Sequence, residues 1–436
     1  MAQNFMSCDR DQVMLLPMDL SEWLPAGHLA RFVIETVDEL DLEGVYGYYR
    51  QDGRGRPAHD PAMMTALVLY AYAVGVTSSR QIERRCVEDV AFRVIAANRQ
   101  PDHATIARFL VRHREALSEL FFGVLTLCQR AGMVKVGTIA VDSTKLAANA
   151  SADQNRTYDG LRAEAERIIE EAIETDRRED ELYGEERGDE LPEELADPRT
   201  RKARIKELLE QVQREREQVE ADRAGLIAEH QEHLARTGKR KRGRPAKPGP
   251  DVDQQQLLAR KHNLTDPDSG VVRHRGMLMQ GYNVQAAVAD GQVILATQIS
   301  GIAGDGGKLE PMVDAAQQAL ARLNDGGEMG QVLADAGYWH SGQITTLRQR
   351  GLRVLVPPHP RARKDADMMR AALEDPDGRR EYRRRQQIVE PVFAHWKHIR
   401  GITRVWRRGK QAVQAEIDLI ATTHNLLKLH KAVQIA

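Results

Sequence analysis

The stretch GYNVQAAVADGQVILATQIS, from Gly281 to Ser300, constrains this chain more than any other. Two alternating, β-branched runs flank Asp290-Gly291, which reads as a tight hairpin turn between two strands. Upstream, VGTIAVDSTKLAANAS is a short β-branched run ending in Asp142, followed by small and polar residues. Downstream, GKLEPMVDAAQQALARL has helical period, and GEMGQVLADAGYWH is a buried apolar strand ending in Asp335. SGQITTLRQRG is then a short helix and LRVLVPP a further buried strand. The order fits an α+β fold built on a mixed five-stranded sheet with helices. In such a fold the ends of the first and fourth strands lie side by side. Asp142 and Asp335 are 193 residues apart, but an insertion and a linker account for about half of that.

The next helix, YRRRQQIVEPVFAHWKHIR (382–400), is basic and carries one internal acid. Ile388, Val389, Val392, Phe393, Trp396 and Ile399 form an apolar stripe, and Glu390 lies off it. Arg383, Glu390 and Lys397 are spaced by seven and share a face. Pro391 removes a helical hydrogen bond at a cost of about 3 kcal/mol, so a kink or restart is expected at Glu390. Trp339 and Trp396 are read as core residues, with stacking on a displaced base as the alternative.

Residues 1–135 are mostly helical. PAMMTALVLYAYAVGV is apolar all round and reads as a buried central helix. Ser78 with Gln81 is a capping-box pattern opening one helix, and Asp102 caps another, HATIARFLVRHREALSELFFGVL. The pair resembles a helix-turn-helix, with Arg108 and Arg112 available for phosphates. Residues 136–158 form the first strand of a second domain. Residues 159–235 are a helical-hairpin insertion in which Ile205, Val212, Val219 and Leu226 make only half a coiled-coil seam. Residues 236–255 are a basic linker whose KRKRGRPAKP, centred on Arg244, resembles an AT-hook. Residues 256–436 complete the second domain.

Charge is segregated. Net charge is −1, yet Arg379 to Lys410 holds eleven Lys/Arg against two acids, and Asp159 to Pro198 holds seventeen acids against five Arg. A near-neutral chain therefore carries a basic patch fit for a polyanion. Cys8, Cys86 and Cys128 have no metal spacing and read as free thiols in a reducing compartment. With no signal peptide and no apolar run of membrane length, a cytoplasmic, nucleoid-associated protein with no membrane partner is expected. Asp142, Asp335 and Glu390, if they converge, suit two Mg²⁺ ions (Mn²⁺ being the substitute) acting on a phosphodiester.

These motifs resemble the DDE transposases of bacterial insertion sequences, whose catalytic domain is ribonuclease-H-like. The resemblance spans nearly the whole chain. It is carried by SSRQIERRCVEDVAFRVIAANRQPDHATIARF, VDSTKLAANAS, LTDPDSG with GYNVQAAVAD, LADAGYW, and VEPVFAHWKHIRG followed by DLIATTHNLLKL. It implies that Asp142, Asp335 and Glu390 are the acidic, metal-holding triad. It implies a Tyr–Arg–Glu–Lys motif at Tyr382, Arg385, Glu390 and Lys397, with one residue more between Arg385 and Glu390 than the family pattern has. Arg383 and Arg384 therefore share the expectation of a DNA-binding cation. The resemblance further implies double-stranded DNA as partner (element terminal inverted repeats and target DNA) and a homodimer on DNA. The reaction implied is strand hydrolysis at an element end followed by attack of the freed 3′-OH on target DNA. The competing readings are a nuclease that cuts without joining and a DNA-binding protein descended from a transposase.

Overall fold

A computed structural model describes residues 20–49, 57–164, 166–167, 201–237, 261–274, 276–323, 329–360, 362 and 365–435. The sheet contains β1 (Lys135–Ala147), β4 (Gly270–His274), β5 (Met277–Asp290), β6 (Val293–Ser300), β7 (Gln331–Ala334) and β8 (Arg353–Leu355). Two short strands, β2 (Asn155–Arg156) and β3 (His262–Asn263), pair separately. The main sheet runs β4-β5-β1-β7-β8, and β6 also pairs with β5. It thus has six strands in five positions. β4 takes the half of β5 from Met277 to Gly281, and β6 takes the half from Asn283 to Ala289. The expected five strands omitted β4, whose short run GVVRH lacks a long alternating pattern. β1 is antiparallel to β5 and parallel to β7, and β7 is parallel to β8.

The hairpin forms where Asp290-Gly291 placed it. Gln292 N donates to Ala289 O at 3.0 Å, and Gly291 and Gln292 adopt φ of 84° and 67°. β1 differs from expectation. It does not end at Asp142 but continues to Ala147, because β5 is long enough to pair as far as Ala147↔Gly281. Only its pairing with β7 stops at Val141.

The N-terminal helices are α1 (Leu29–Glu39), α2 (Glu43–Tyr46), α3 (Pro61–Ala73), α4 (Ser79–Glu88), α5 (Val90–Ile95), α6 (His103–Arg112) and α7 (Arg114–Arg130). Every residue of α3 from Met64 to Ala73 is buried, as its all-round apolar sequence requires. The helical runs break at two points, the second inside the run expected from His103 to Leu125. Asp89 accepts from Ala91 N and caps α5, which ends α4 at Glu88. His113 turns inward, stacks on Tyr49 at 5.4 Å and separates α6 from α7. Asp102 caps α6 as expected, accepting from Thr105 N at 2.7 Å, but Ser78 makes no side-chain capping bond.

The insertion contributes α8 (Arg201–Thr237), one continuous helix whose Ile205 and Leu208 bury against Leu161 and Leu264. Residues 168–200 of the expected hairpin, and residues 238–260 with Arg244, lie outside the described residues.

The remaining helices are α9 (Leu309–Arg322), α10 (Ser341–Gln349), α11 (Asp365–Glu374), α12 (Pro376–Ala394) and α13 (Lys410–Ile435). The N-terminal helices and the sheet share one hydrophobic core. Buried Arg400 fastens them together: its guanidinium donates to Tyr72 O at the end of α3 and to Ile420 O and Thr423 Oγ1 on α13. Gly75, at φ +82°, lets the α3 end approach, since a Cβ there would lie 2.1 Å from Arg400 O. Asn425 of α13 pairs with both the N–H and C=O of Ile294, completing the edge of β6.

α12 does not restart at Glu390; it runs as one continuous helix through Pro391 to Ala394. Gln387 O, the acceptor that Pro391 cannot serve, instead accepts from Gln292 Nε2 at 3.1 Å. The irregularity comes one turn later, as a π turn over His395–Ile399. That wider turn advances the helix phase by a residue. Ile399 of the expected apolar stripe is consequently 76% exposed, while Arg400 is buried.

His424 on α13 is fully buried beside His395, Arg400 and Lys428, with its Nε2 3.0 Å from Gln292 O. Burial first, then Arg400, hold its pKa down at about 3. The unfolded imidazole takes a proton below about pH 6.5 and the folded one does not, so stability falls as pH drops from there towards 3. Between pH 7 and 5 His424 alone should remove about 2 kcal/mol of unfolding free energy. Urea unfolding of wild type and His424→Gln at both pH values checks this, and equal pH sensitivity of the two proteins would refute it.

Candidate active site

Asp142 and Asp335 are brought together by backbone pairing. Val141 pairs with Ala334 in the parallel β1–β7 ladder; Asp142 is the next residue of β1, and Asp335 follows the last residue of β7. β7 ends there because Asp335 caps a 3-10 turn (Ala336–Tyr338), its Oδ1 accepting from Gly337 N at 2.8 Å. Glu390 comes from α12, which packs against β1, β5 and β7.

Arg385, just over one turn before Glu390, bridges two of the three acids. Its Nη1 lies 2.7 Å from Asp142 Oδ2, and its Nη2 lies 3.5 Å from Glu390 Oε1. Asp142 also accepts from Ser143 N at 2.7 Å. Burial pushes the Asp142 carboxyl up to about 6; Arg385 and the Ser143 N–H oppose this, and Asp335 adds to it. Burial works against the Arg385 charge as well, but Asp142, Tyr382, Asp335 and Glu390 outweigh it and raise its pKa. Tyr382 lies against the same group, its hydroxyl pushed up by burial and pulled back by Arg385.

The other sequence-derived residues fall into distinct places. Arg384 is committed within the protein, bonding Glu381 at 2.7 Å and Asp290 at 2.6 Å. Arg383 is exposed and lines one groove with Arg379, Arg380 and Arg384. Lys397 is half-buried in the π turn. Trp396 is fully buried, its ring edge-on to Phe393 at 5.6 Å. Arg108 and Arg112 line a cleft in the N-terminal helices, well apart in the chain from the triad, and Arg112 sits 4.6 Å over the Tyr48 ring.

One layer was missed in the sequence. Lys145 Nζ donates to Asn283 Oδ1 at 2.7 Å and to Ser143 Oγ at 3.0 Å, and lies 3.6 Å from Asp305 Oδ1. Asn283 and Gln285 both donate to Asp305 Oδ1, and Tyr338 donates to Gln285. Burial alone would raise the Asp305 pKa, yet the two amides, Lys145 and Ser143 hold it below the usual range. A clue existed: Asn283 and Gln285 are polar, two apart, in a mostly apolar strand, and both are buried. Ser143 and Lys145 face them in register.

Among the described residues, no three His, Cys, Asp or Glu side chains are close enough together to form a metal-holding group. Asp142 and Glu390 instead turn towards the Arg385 guanidinium. The donor chemistry still fits a hard cation: the candidate ligands are carboxylate oxygens, two of them on neighbouring strands, with no sulfur or imidazole among them. No described helix is long and apolar enough to cross a membrane.

Residues 18–112 match the family model described as Transposase domain (DUF772), and residues 346–430 match the one described as Transposase DDE domain. The second match includes Glu390 but neither Asp142 nor Asp335. No curated protein and no solved structure matches the chain.

The electrostatics predict an unusual carboxyl. In metal-free protein Asp142 should titrate near pH 6. Arg385→Met should move its midpoint higher still, by about one pH unit or more, because the opposing charge is gone. Carboxyl-carbon NMR titration checks both values; a midpoint near 4, unmoved by the substitution, would show that burial and Arg385 do not govern this group.

Proposed function

We propose that the chain, a DDE transposase of the insertion-sequence type, cuts DNA at the ends of its element and joins the freed ends to target DNA. The observation that carries this is the parallel β1–β7 register, which sets Asp142 beside Asp335 with Glu390 joined to Asp142 through Arg385. The strand order β6-β5-β1-β7-β8, with β5 antiparallel to both neighbours, supports a ribonuclease-H-like arrangement. In this reading residues 136–158 and 256–436 form the catalytic domain, and residues 1–135 bind the element end.

Domains of this type use divalent metal ions, and Asp142, Asp335 and Glu390 are the residues that would hold Mg²⁺, with Mn²⁺ as substitute. A bound pair would offset charge on the phosphate oxygens and make an oxygen nucleophile available at neutral pH. The chain's own part is electrostatic and positional. Arg385 balances the carboxylates in the free protein, and with Tyr382 it stands beside Asp142 where a scissile phosphate would approach. Lys145, fixed by Asn283 and Asp305, adds a second cation near the acids. Arg383 and Lys397 extend cationic contact along α12 and the π turn, and Arg108 and Arg112 supply phosphate contacts from the helical region. In the first step water attacks phosphorus, the bond to the 3′-oxygen breaks, and that oxygen leaves as a hydroxyl. In the second step this 3′-OH attacks a target phosphodiester, transfers its proton to the site and expels a new 3′-oxygen. A dimer would let one subunit hold an end while its partner cuts it.

Asp142→Asn tests the reading. It should lower Mg²⁺-dependent nicking of the element's own ends by about 10³-fold, since several kcal/mol of charge stabilisation is lost. DNA binding in a gel-shift titration should persist. Nicking at the wild-type rate would sink the ligand assignment. Specific binding without any cleavage by the wild type would favour the DNA-binding reading, and cleavage without joined product would favour the plain nuclease.

A further inference from the structure

Pro391 follows Glu390 directly, in the last turn of the helix that carries both Glu390 and Arg385. A proline there has no N–H, and its ring crowds the carbonyl four residues back, that of Gln387. Helices usually bend at such a point. This one does not lose the bond: Gln292 Nε2 donates to Gln387 O at 3.1 Å.

Gln292 sits in the β5–β6 turn, and all four of its polar groups are used. Its N–H closes the turn on Ala289 O at 3.0 Å. Its carbonyl lies 3.0 Å from His424 Nε2, and its Oε1 accepts from Lys428 Nζ at 3.1 Å, both on α13. Its backbone is held at φ +67°, a conformation that a side chain rarely adopts without compensation. Asp290 of the same turn grips α12 at a second point, 2.6 Å from Arg384 Nη2. The turn therefore holds α12 by a side chain and by a backbone carbonyl, at residues 384 and 387, immediately before the acid at 390.

We infer that Gln292 is a positioning residue for Glu390: by replacing the bond that Pro391 removes, it keeps α12 in the phase that brings Arg385 onto Asp142 and Glu390 onto Arg385. The inference rests on the catalytic reading of Glu390. Pro391 and Gln292 form one device, in which the proline frees a carbonyl and the hairpin takes it as an anchor. The sheet that carries Asp142 thus fixes the helix that carries the third acid through its own turn, rather than through side-chain packing alone.

The test compares Gln292→Met, Pro391→Ala and the double variant. Three measurements are made on the full chain: single-turnover nicking of element-end DNA, DNA affinity by fluorescence anisotropy, and amide hydrogen exchange over residues 386–394. Gln292→Met should slow nicking by about 10²-fold, the scale of a misplaced catalytic group, with DNA affinity unchanged. Exchange across 386–394 should speed up. In the Pro391→Ala background residue 391 regains an N–H for Gln387 O. Adding Gln292→Met there should cost less than about threefold and leave exchange unaltered. Should Gln292→Met not fold, Gln292→Glu carries the same comparison, because it keeps the acceptor for Lys428 and loses the donor. Wild-type nicking and exchange in the single variant, or a defect that Pro391→Ala does not relieve, overturns the inference. If the wild type never cleaves, the catalytic reading fails by itself, and the exchange data alone decide whether Gln292 holds the helix.

Discussion

Four residue pairs in the parallel ladder, Thr138–Val141 against Gln331–Ala334, are the contact on which the site depends. They set two acids from opposite ends of a 193-residue separation at neighbouring positions. The ladder stops because Asp335 leaves strand geometry to cap its own turn. β1 continues past that point on β5, so the sheet opens beside Asp142 while Asp142 itself stays anchored on one side. An opening of this kind at the carboxyl end of parallel strands is where sheets of mixed topology present chemistry.

Placing several carboxylates together in a half-buried site costs free energy unless cations answer them. The protein answers on both sides. Arg385 meets Asp142 and Glu390 from the helix side. Lys145, held by Asn283 and Asp305, stands on the hairpin side. Asp142 retains a raised pKa even so, which shows that burial outweighs the attraction. The guanidinium thereby holds Asp142 and Glu390 to one shared cation.

The helices are tied to this centre from outside. Arg400 bonds the end of α3 to α13, Asn425 completes the edge of β6, and the β5–β6 turn grips both α12 and α13. The N-terminal region and the sheet accordingly share one core. The cleft lined by Arg108 and Arg112 is in this way tied to the same core as the acids.

Much of the local structure was legible in the sequence. Strand period and the Asp-Gly turn determined the hairpin; apolar period and Asp102 determined where helices run and one of them starts; the apolar stripe placed Trp396 in the core. These depend on neighbours within a few residues, where hydrogen bonding and side-chain periodicity are local. What the sequence could not settle depends on partners far along the chain. The length of β1 was decided by β5, the fate of the Pro391 break by Gln292, and the outward turn of Ile399 by a π turn that buries Arg400. Asp305, in a loop, had no local signal, because its partners are two amides on strand β5 and Lys145 on β1. Residue order determined which elements exist and which acids end near a strand terminus; only the tertiary structure decided which charges face one another, because electrostatic and hydrogen-bond pairing is settled by distance in space and not by separation in sequence.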